Sequence, residues 1–259
     1  MMSSGRNQPR MGPRIVAYVL VPALLLAYAR FVEPRWICIR EVHLTNEPVC
    51  RFVHISDLHH KGDRRHLRQI VDRINTLKPD FVCFTGDLVE DEQHLAEALD
   101  LLGQLQPPIY AVPGNHDPVW GPLRQRIQAM CRATGGEYLV NDIVKSSSHD
   151  VQIVGTQTAQ LPDIQRESSA TRILVLTHYP ETAAQLPKGA FDLALAGHSH
   201  GGQVRLPLFG ALILPHGVGS YERGLYQLDS GPLYVHPGLG TFVFPIRFLC
   251  RPEITVISL

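Results

Sequence analysis

The sequence predicts an α/β fold in which two sheets pack face to face with helices outside. Three observations carry this. In the first half, apolar runs alternate with amphipathic stretches as strand, helix, strand, helix, strand, helix, the mark of a parallel-sheet α/β domain. The second half adds six shorter apolar runs, enough for a second sheet. Several runs in both halves stop at Gly, Pro or another polar turn residue beside Asp, Asn or His, as at strand ends that open onto a site.

Residues 1–14 are polar and carry Arg6, Arg10 and Arg14. Ile15 to Ala29 is an uncharged, mostly apolar stretch closed by Arg30. As a helix it rises about 22 Å, short of the roughly 30 Å hydrocarbon core. Phe31 and Val32, with Arg30 snorkelling, lengthen it. This segment therefore reads first as a single N-terminal anchor, which places the protein at a membrane. Cleavage at Ala27-Tyr28-Ala29, with secretion, is the second reading, and a soluble helix the third. Residues 1–35 are divided on this basis from a globular domain, 36–259.

Ile37–Leu44 alternates like an edge strand, and Val49–Ser56 is a second strand. The helix Asp63–Leu77 has one apolar face, Leu67, Ile70, Val71, Ile74 and Leu77, and stops before Pro79. The run from Phe81 to Phe84 is a strand buried on both faces. A helix over Asp91–Leu102, a strand over Ile109–Val112 and a helix over Pro122–Ala133 complete the first half. The later strands are Val151–Gly155, Ile173–Thr177, Leu193–Ala196, Gly224–Leu228, Leu233–His236 and Ile254–Ile257, the later ones expected to be antiparallel. Gln157–Ala170 reads as a polar loop.

Lys+Arg and Asp+Glu both number 24, so no basic footprint for nucleic acid exists, and none is expected as a partner. Five scattered cysteines without a C-x-x-C give neither a disulfide framework nor a zinc knuckle.

The strand ends collect Asp57 and His59, Asp87, Asn115 and His116, His178, and His198 and His200. Gly86 lets the chain turn so that Asp87 stands at the tip of a core strand. A bare carboxylate there is costly unless paired or bound to metal. Residues i and i+2 of an extended chain point to one side, so Asp57/His59 and His198/His200 each address one point. Mixed carboxylate, imidazole and amide donors suit Mn, Zn or Fe better than Mg or Ca. Seven ligands are too many for one ion and suit two divalent ions sharing a carboxylate. Such a pair clamps a phosphoryl group and generates hydroxide. His43, His54, His66, His94 and His149 read as surface or core histidines, and His60 points away from the site.

Asp57-Leu58-His59, Gly86-Asp87, Gly114-Asn115-His116-Asp117, His178 and Gly197-His198-Ser199-His200 resemble the five ordered motifs of calcineurin-like metallophosphoesterases. The resemblance implies a four-layer α/β/β/α sandwich of two mixed sheets. It implies that Asp57, His59, Asp87 and His200 bind one metal, and Asp87, Asn115, His178 and His198 the other. His116 then serves as general acid, with Asp117 as its orienting partner. Leu88-Val89-Glu90 after Asp87 departs from the arginine of Ser/Thr protein phosphatases. Gly201-Gly202-Gln203-Val204-Arg205 is similar to a bacterial membrane-linked branch that includes phosphodiesterases and hydrolases of UDP-2,3-diacylglucosamine in lipid A synthesis. The implied substrate is a phosphodiester or a nucleotide-linked lipid. A phosphomonoesterase and a metal-binding scaffold without turnover are the alternatives. Two apolar stretches, Leu206–Leu214 and Phe242–Leu249, suit acyl chains or an ordinary core equally.

Overall fold

The computed structural model describes residues 13–157, 168 and 171–259, so most of the polar stretch Gln157–Ala170 and residues 1–12 lie outside it. Six strands make the first sheet: β1 (Cys38–His43), β2 (Arg51–Ile55), β3 (Val82–Phe84), β4 (Ile109–Ala111), β5 (Glu137–Tyr138) and, last in the chain, β14 (Glu253–Ser258). Their spatial order is β1-β14-β2-β3-β4-β5. Strands β2 to β5 run parallel, while β14 is antiparallel to β2 and parallel to the edge strand β1.

The second sheet has β6 (Asp142–Lys145), β7 (Val151–Gly155), β8 (Arg172–Leu176), β9 (Leu193–Ala196), β12 (Gly224–Leu228) and β13 (Gly231–Val235), ordered β12-β13-β9-β8-β7-β6. Its centre is parallel, and only the edge strands β6 and β12 pair antiparallel. β13, expected to be antiparallel, is therefore parallel to β9. The short turn at Asp229-Ser230 makes β12 and β13 antiparallel as expected, while β13 lies parallel to β9 on its other side. A separate hairpin joins β10 (Arg205–Leu206) to β11 (Gly210–Ala211).

Alternation within the strands builds the layers. Val53, Ile55, Val82 and Phe84 face the helices α2 (Arg64–Leu77), α3 (Leu95–Leu102) and α4 (Gly121–Ala133). Phe52, Phe81 and Cys83 face the other way, where they meet Ile153, Leu174, Leu176, Leu193, Leu195 and Tyr234 of the second sheet. Phe52 and Phe81 stack there with centroids 4.9 Å apart. Each large apolar side chain buried in this seam contributes roughly 1.5–3 kcal/mol. The outer face of the second sheet is covered by the short helix α5 (Pro180–Ala184) with Leu186 and Phe191. α2 shows how local chemistry sets an element. Asp63 caps it by accepting from the His66 amide at 3.1 Å, Leu67, Ile70, Val71 and Ile74 line its buried face, and Lys78 ends it in a left-handed conformation before Pro79.

The N-terminal segment corrects the expected localisation. α1 (Pro13–Ala27) is followed by a π turn, Tyr28–Val32, and a 3-10 turn, Glu33–Arg35. Among the described residues no helix is long and apolar enough to cross a membrane. The inner-membrane anchor expected from Ile15–Ala29 thus loses the span it rested on. Its C-terminal end is also built into the domain. The Ala29 carbonyl accepts from the Arg247 amide at 2.9 Å, and buried Glu33 accepts from the Cys250 amide. Ala29, the last residue of the expected cleavage site, is itself buried.

Candidate metal centre

Five parallel strands aim their C-terminal ends at one point. Asp57 and His59 follow β2, Asp87 follows β3, Asn115 and His116 follow β4, His178 follows β8, and His198 and His200 follow β9. The first three ends belong to one sheet and the last two to the other, so the site lies across the mouth of the sandwich. The loops after β3 and β4 touch because neither Gly86 nor Gly114 has a side chain. A Cβ on Gly86, at φ +97°, would strike the Gly114 backbone, and one on Gly114 would strike the Asp87 carboxylate.

The ligand atoms of Asp57, His59, Asp87 and His200 lie within 4.8 Å of one another, and so do those of Asp87, His178 and His198. Asp87 belongs to both groups: its Oδ2 is 3.2 Å from His59 Nε2 and 3.4 Å from His178 Nε2. Asn115 Oδ1 joins the second group, 3.0 Å from His178 Nε2, and His198 Nδ1 stands 3.1 Å from the same nitrogen. The outer nitrogens are tied down. His178 Nδ1 donates to the Thr85 carbonyl at 2.7 Å, and His198 Nε2 donates to the His216 carbonyl at 2.7 Å. A carbonyl can only accept, so the inner nitrogen of each ring carries the free lone pair when the ring is neutral. His216 enters the site through its carbonyl, not its ring.

The donor set fits divalent metals on this structure's own terms. His200 Nδ1 is buried without a hydrogen-bond partner, and buried His59 Nε2 has the Asp87 carboxylate 3.2 Å away. Burial would raise the Asp87 carboxyl, yet the flanking His178 and His59 hold it well below the usual carboxylate range. Burial would lower His178, but Asp87 overrides it and lifts the imidazole to about 9. Burial raises Asp57 to about 6, and burial together with the His178 charge lowers His198 to about 4. The Asp87 carboxylate and the His178 imidazole thus favour each other's charged form. Metal binding displaces the imidazole proton.

Backbone geometry sets the ligands apart. Asp57, His59, Asp87, His198 and His200 all have positive φ, between +37° and +64°. Non-glycine residues rarely hold this conformation, and where they do it clusters at functional sites. The convergence of Asp57 with His59, and of His198 with His200, therefore does not come from an extended chain. Each pair folds through left-handed turns instead.

His116 stands beside this cluster. Its main-chain N–H donates to Asp87 Oδ1 at 2.9 Å, and its ring lies 5.0 Å from the His59 ring and 5.3 Å from that of Phe242. Asp117 does not orient it. The Asp117 carboxylate accepts main-chain amides instead, from Asp87 at 2.6 Å, Leu88 at 2.9 Å and Gly114 at 2.9 Å. It fixes the loop that presents Asp87. The residue sequence reasoning passed over is Glu90, whose Oε2 lies 2.7 Å from His59 Nδ1. The signal was available: a carboxylate three positions after Asp87, just past the bridge that pairs Val89 with His60. A carboxylate on the outer nitrogen of a ligating histidine fixes the ring and raises its basicity, so Glu90→Gln is expected to weaken metal binding by roughly 10–100-fold. Competition with a metal-sensitive dye reads this directly, and an unchanged affinity would remove Glu90 from the centre.

The other histidines sort as expected or by new partners. His60 turns away to Glu97, 2.8 Å from its Nε2. His54 and His236 pair deep between the sheets with ring centroids 4.8 Å apart, which places His236 in the core.

A model of the calcineurin-like phosphoesterase family matches residues 50–202, more than half of the chain. The uncharacterised metallophosphoesterase YkuE of Bacillus subtilis is 30% identical, over 90% of this chain and 88% of its own length. The phosphodiesterase YaeI of Escherichia coli is 29% identical, over 90% of this chain and 92% of its own. Among solved structures, the protein TT1561 of Thermus thermophilus superposes with a TM-score of 0.50 at 13% identity, over 74% of this chain and 90% of that one, a likeness of fold. The chain belongs to the calcineurin-like phosphoesterase family, hydrolases that work with two divalent metal ions.

Proposed function

We propose that this enzyme hydrolyses a phosphodiester or pyrophosphate bond and that its substrate carries acyl chains, as UDP-2,3-diacylglucosamine does. The reading rests above all on Asp87, whose Oδ2 lies within 3.4 Å of histidines from both half-sites, a position from which one carboxylate would serve two ions. In this reading Asp57, His59, Asp87 and His200 hold one ion, of Mn, Zn or Fe, and Asp87, Asn115, His178 and His198 hold the other. The pair, when bound, supplies Lewis acidity and a water of lowered pKa. The chain's own residues do the rest. Asp87 Oδ1 fixes the His116 main chain, so the imidazole stands at the edge of the half-site. His116 gives its proton to the departing oxygen. Beside Asn115 and His178, a cavity of about 210 Å³ lined also by Val119, Gln157 and Tyr179 takes the group that stays on phosphorus.

Two features support the diester and its chains. The relative YaeI is named a phosphodiesterase. The apolar stretches after the metal histidines are also not core: Leu208 and Phe209 are 104% and 83% exposed at the tip of the β10–β11 hairpin, and Phe244 is 65% exposed. Each methylene taken from water onto such a surface contributes about 0.8 kcal/mol. The test sets bis-p-nitrophenyl phosphate beside p-nitrophenyl phosphate with Mn²⁺, then a diester series of growing alkyl length. Faster diester cleavage and a kcat/KM that climbs with chain length are expected. A preference for the monoester would replace the diester reading, and a flat chain-length series would remove the acyl chains.

A further inference from the structure

Phe242 sits on the metal centre. Its ring lies 5.3 Å from the His59 ring, 5.3 Å from His116 and 5.9 Å from His200, nearly parallel to the last. It is half-buried. The loop that carries it is pinned from several sides. Gln203, directly after the His200-Gly201-Gly202 turn, donates through Nε2 to the carbonyls of Phe242 (3.1 Å) and Phe244 (2.8 Å), and its Oε1 accepts from the Phe242 amide at 2.7 Å. Lys61 Nζ holds the Thr241 carbonyl at 2.8 Å. Fully buried Arg247 closes the loop from beneath, donating to the carbonyls of Gly240 (2.8 Å) and Pro237 (3.0 Å). Beyond Phe242 the surface continues apolar through exposed Val243 and Phe244.

A proton donor must touch the oxygen it protonates, so the leaving group lies against His116. Whatever lies against His116 on this side also lies against Phe242. We infer that Phe242 determines specificity for the leaving group: its ring is the wall on which that group rests, it holds the His116 imidazole edge-on against His59, and the preferred leaving group is apolar or aromatic. This rests on the phosphoesterase reading above and goes further, because it assigns the substrate's apolar arm to the departing side and the small cavity at Asn115 to the retained side.

The experiment measures kcat/KM for paired aryl diesters whose leaving groups match in pKa but differ in apolar area, on the full chain loaded with Mn²⁺. The apolar-to-polar ratio in Phe242→Ala is expected to fall roughly 3- to 10-fold, the range that one lost ring contact supplies. Phe242→Tyr keeps the ring and is expected to restore the ratio, and elemental analysis is expected to find the same metal content in all forms. Gln203→Ala, which releases the loop without touching the ring, is expected to lower the ratio in the same direction and serves if Phe242→Ala fails to fold. An unchanged ratio in a folded, metal-loaded Phe242→Ala, or in Gln203→Ala where that variant stands in, overturns the inference. So does an equal loss in the alanine and tyrosine variants. If the parent enzyme cleaves monoesters and not diesters, the diester reading fails by itself, and the same ratio is then read on the matching aryl monoesters.

Discussion

Replacing Asp87 with alanine is expected to abolish turnover and to empty the site of metal. Both half-sites lean on the same Asp87 oxygen, 3.2 Å from His59 and 3.4 Å from His178, so one substitution breaks both. The loss of Lewis acidity amounts to several kcal/mol of transition-state stabilisation, about 10³-fold or more in rate. Damage extends past the metals, because Asp87 Oδ1 also accepts the His116 amide. Asp87→Asn separates these effects. Its amide oxygen can still accept that N–H while the bridging charge is gone, so it should lose metal with the His116 loop intact. Elemental analysis beside a steady-state assay decides the matter. An Asp87→Ala protein that still held two equivalents of metal per chain would end the bridging role.

His116→Ala is expected to keep both metals and to slow turnover by roughly 10²–10⁴-fold, the usual range for a positioned acid. His116 lies outside both ligand groups that contain Asp87; it clusters only with His59 and Glu90 at the edge of the centre, so both ions keep their ligands when it is replaced. The loss should shrink as the leaving group becomes more acidic, since a good leaving group needs no proton. A series of aryl esters of rising leaving-group pKa shows this as a steeper dependence in the variant than in the parent. Equal losses along the series would take the acid role away from His116.

Much of this was legible in the sequence for a definite reason. The strands that hold the site are short apolar runs closed by Gly or polar turn residues, and Gly86-Asp87 reads as a strand tip without any structure. The first-half helices follow from their periodicity, and all seven expected ligands meet at one mouth. What stayed hidden depends on tertiary contact. Alternation suggested that Asp57 and His59 share a side of an extended chain, whereas the backbone there is left-handed. Asp117 looked like a partner for the neighbouring His116, but its oxygens reach the amides of another loop, about thirty positions away. The parallel placement of β13 beside β9 depends on a crossover that no local pattern announces. The segment Ile15–Ala29 has the apolarity of a span, yet its C-terminal end carries Ala29 and Glu33 into contacts with residues 247 and 250 that only the fold brings near.

The left-handed ligand residues bear on how long the folded protein survives. Five positions with unfavourable backbone conformations stand where the strand ends of the two sheets meet. The His198 amide of one sheet donates to the Asp57 carboxylate of the other at 3.1 Å. Metal bound there favours the folded state over the unfolded chain by about 2.7 kcal/mol at a free concentration a hundred times Kd. Chelation therefore does more than stop the chemistry. It loosens the seam at its most strained point, and the stripped chain becomes the form that heat and proteases reach first. The chelated protein is therefore expected to melt at a lower temperature and to be cut faster by protease than the metal-loaded one.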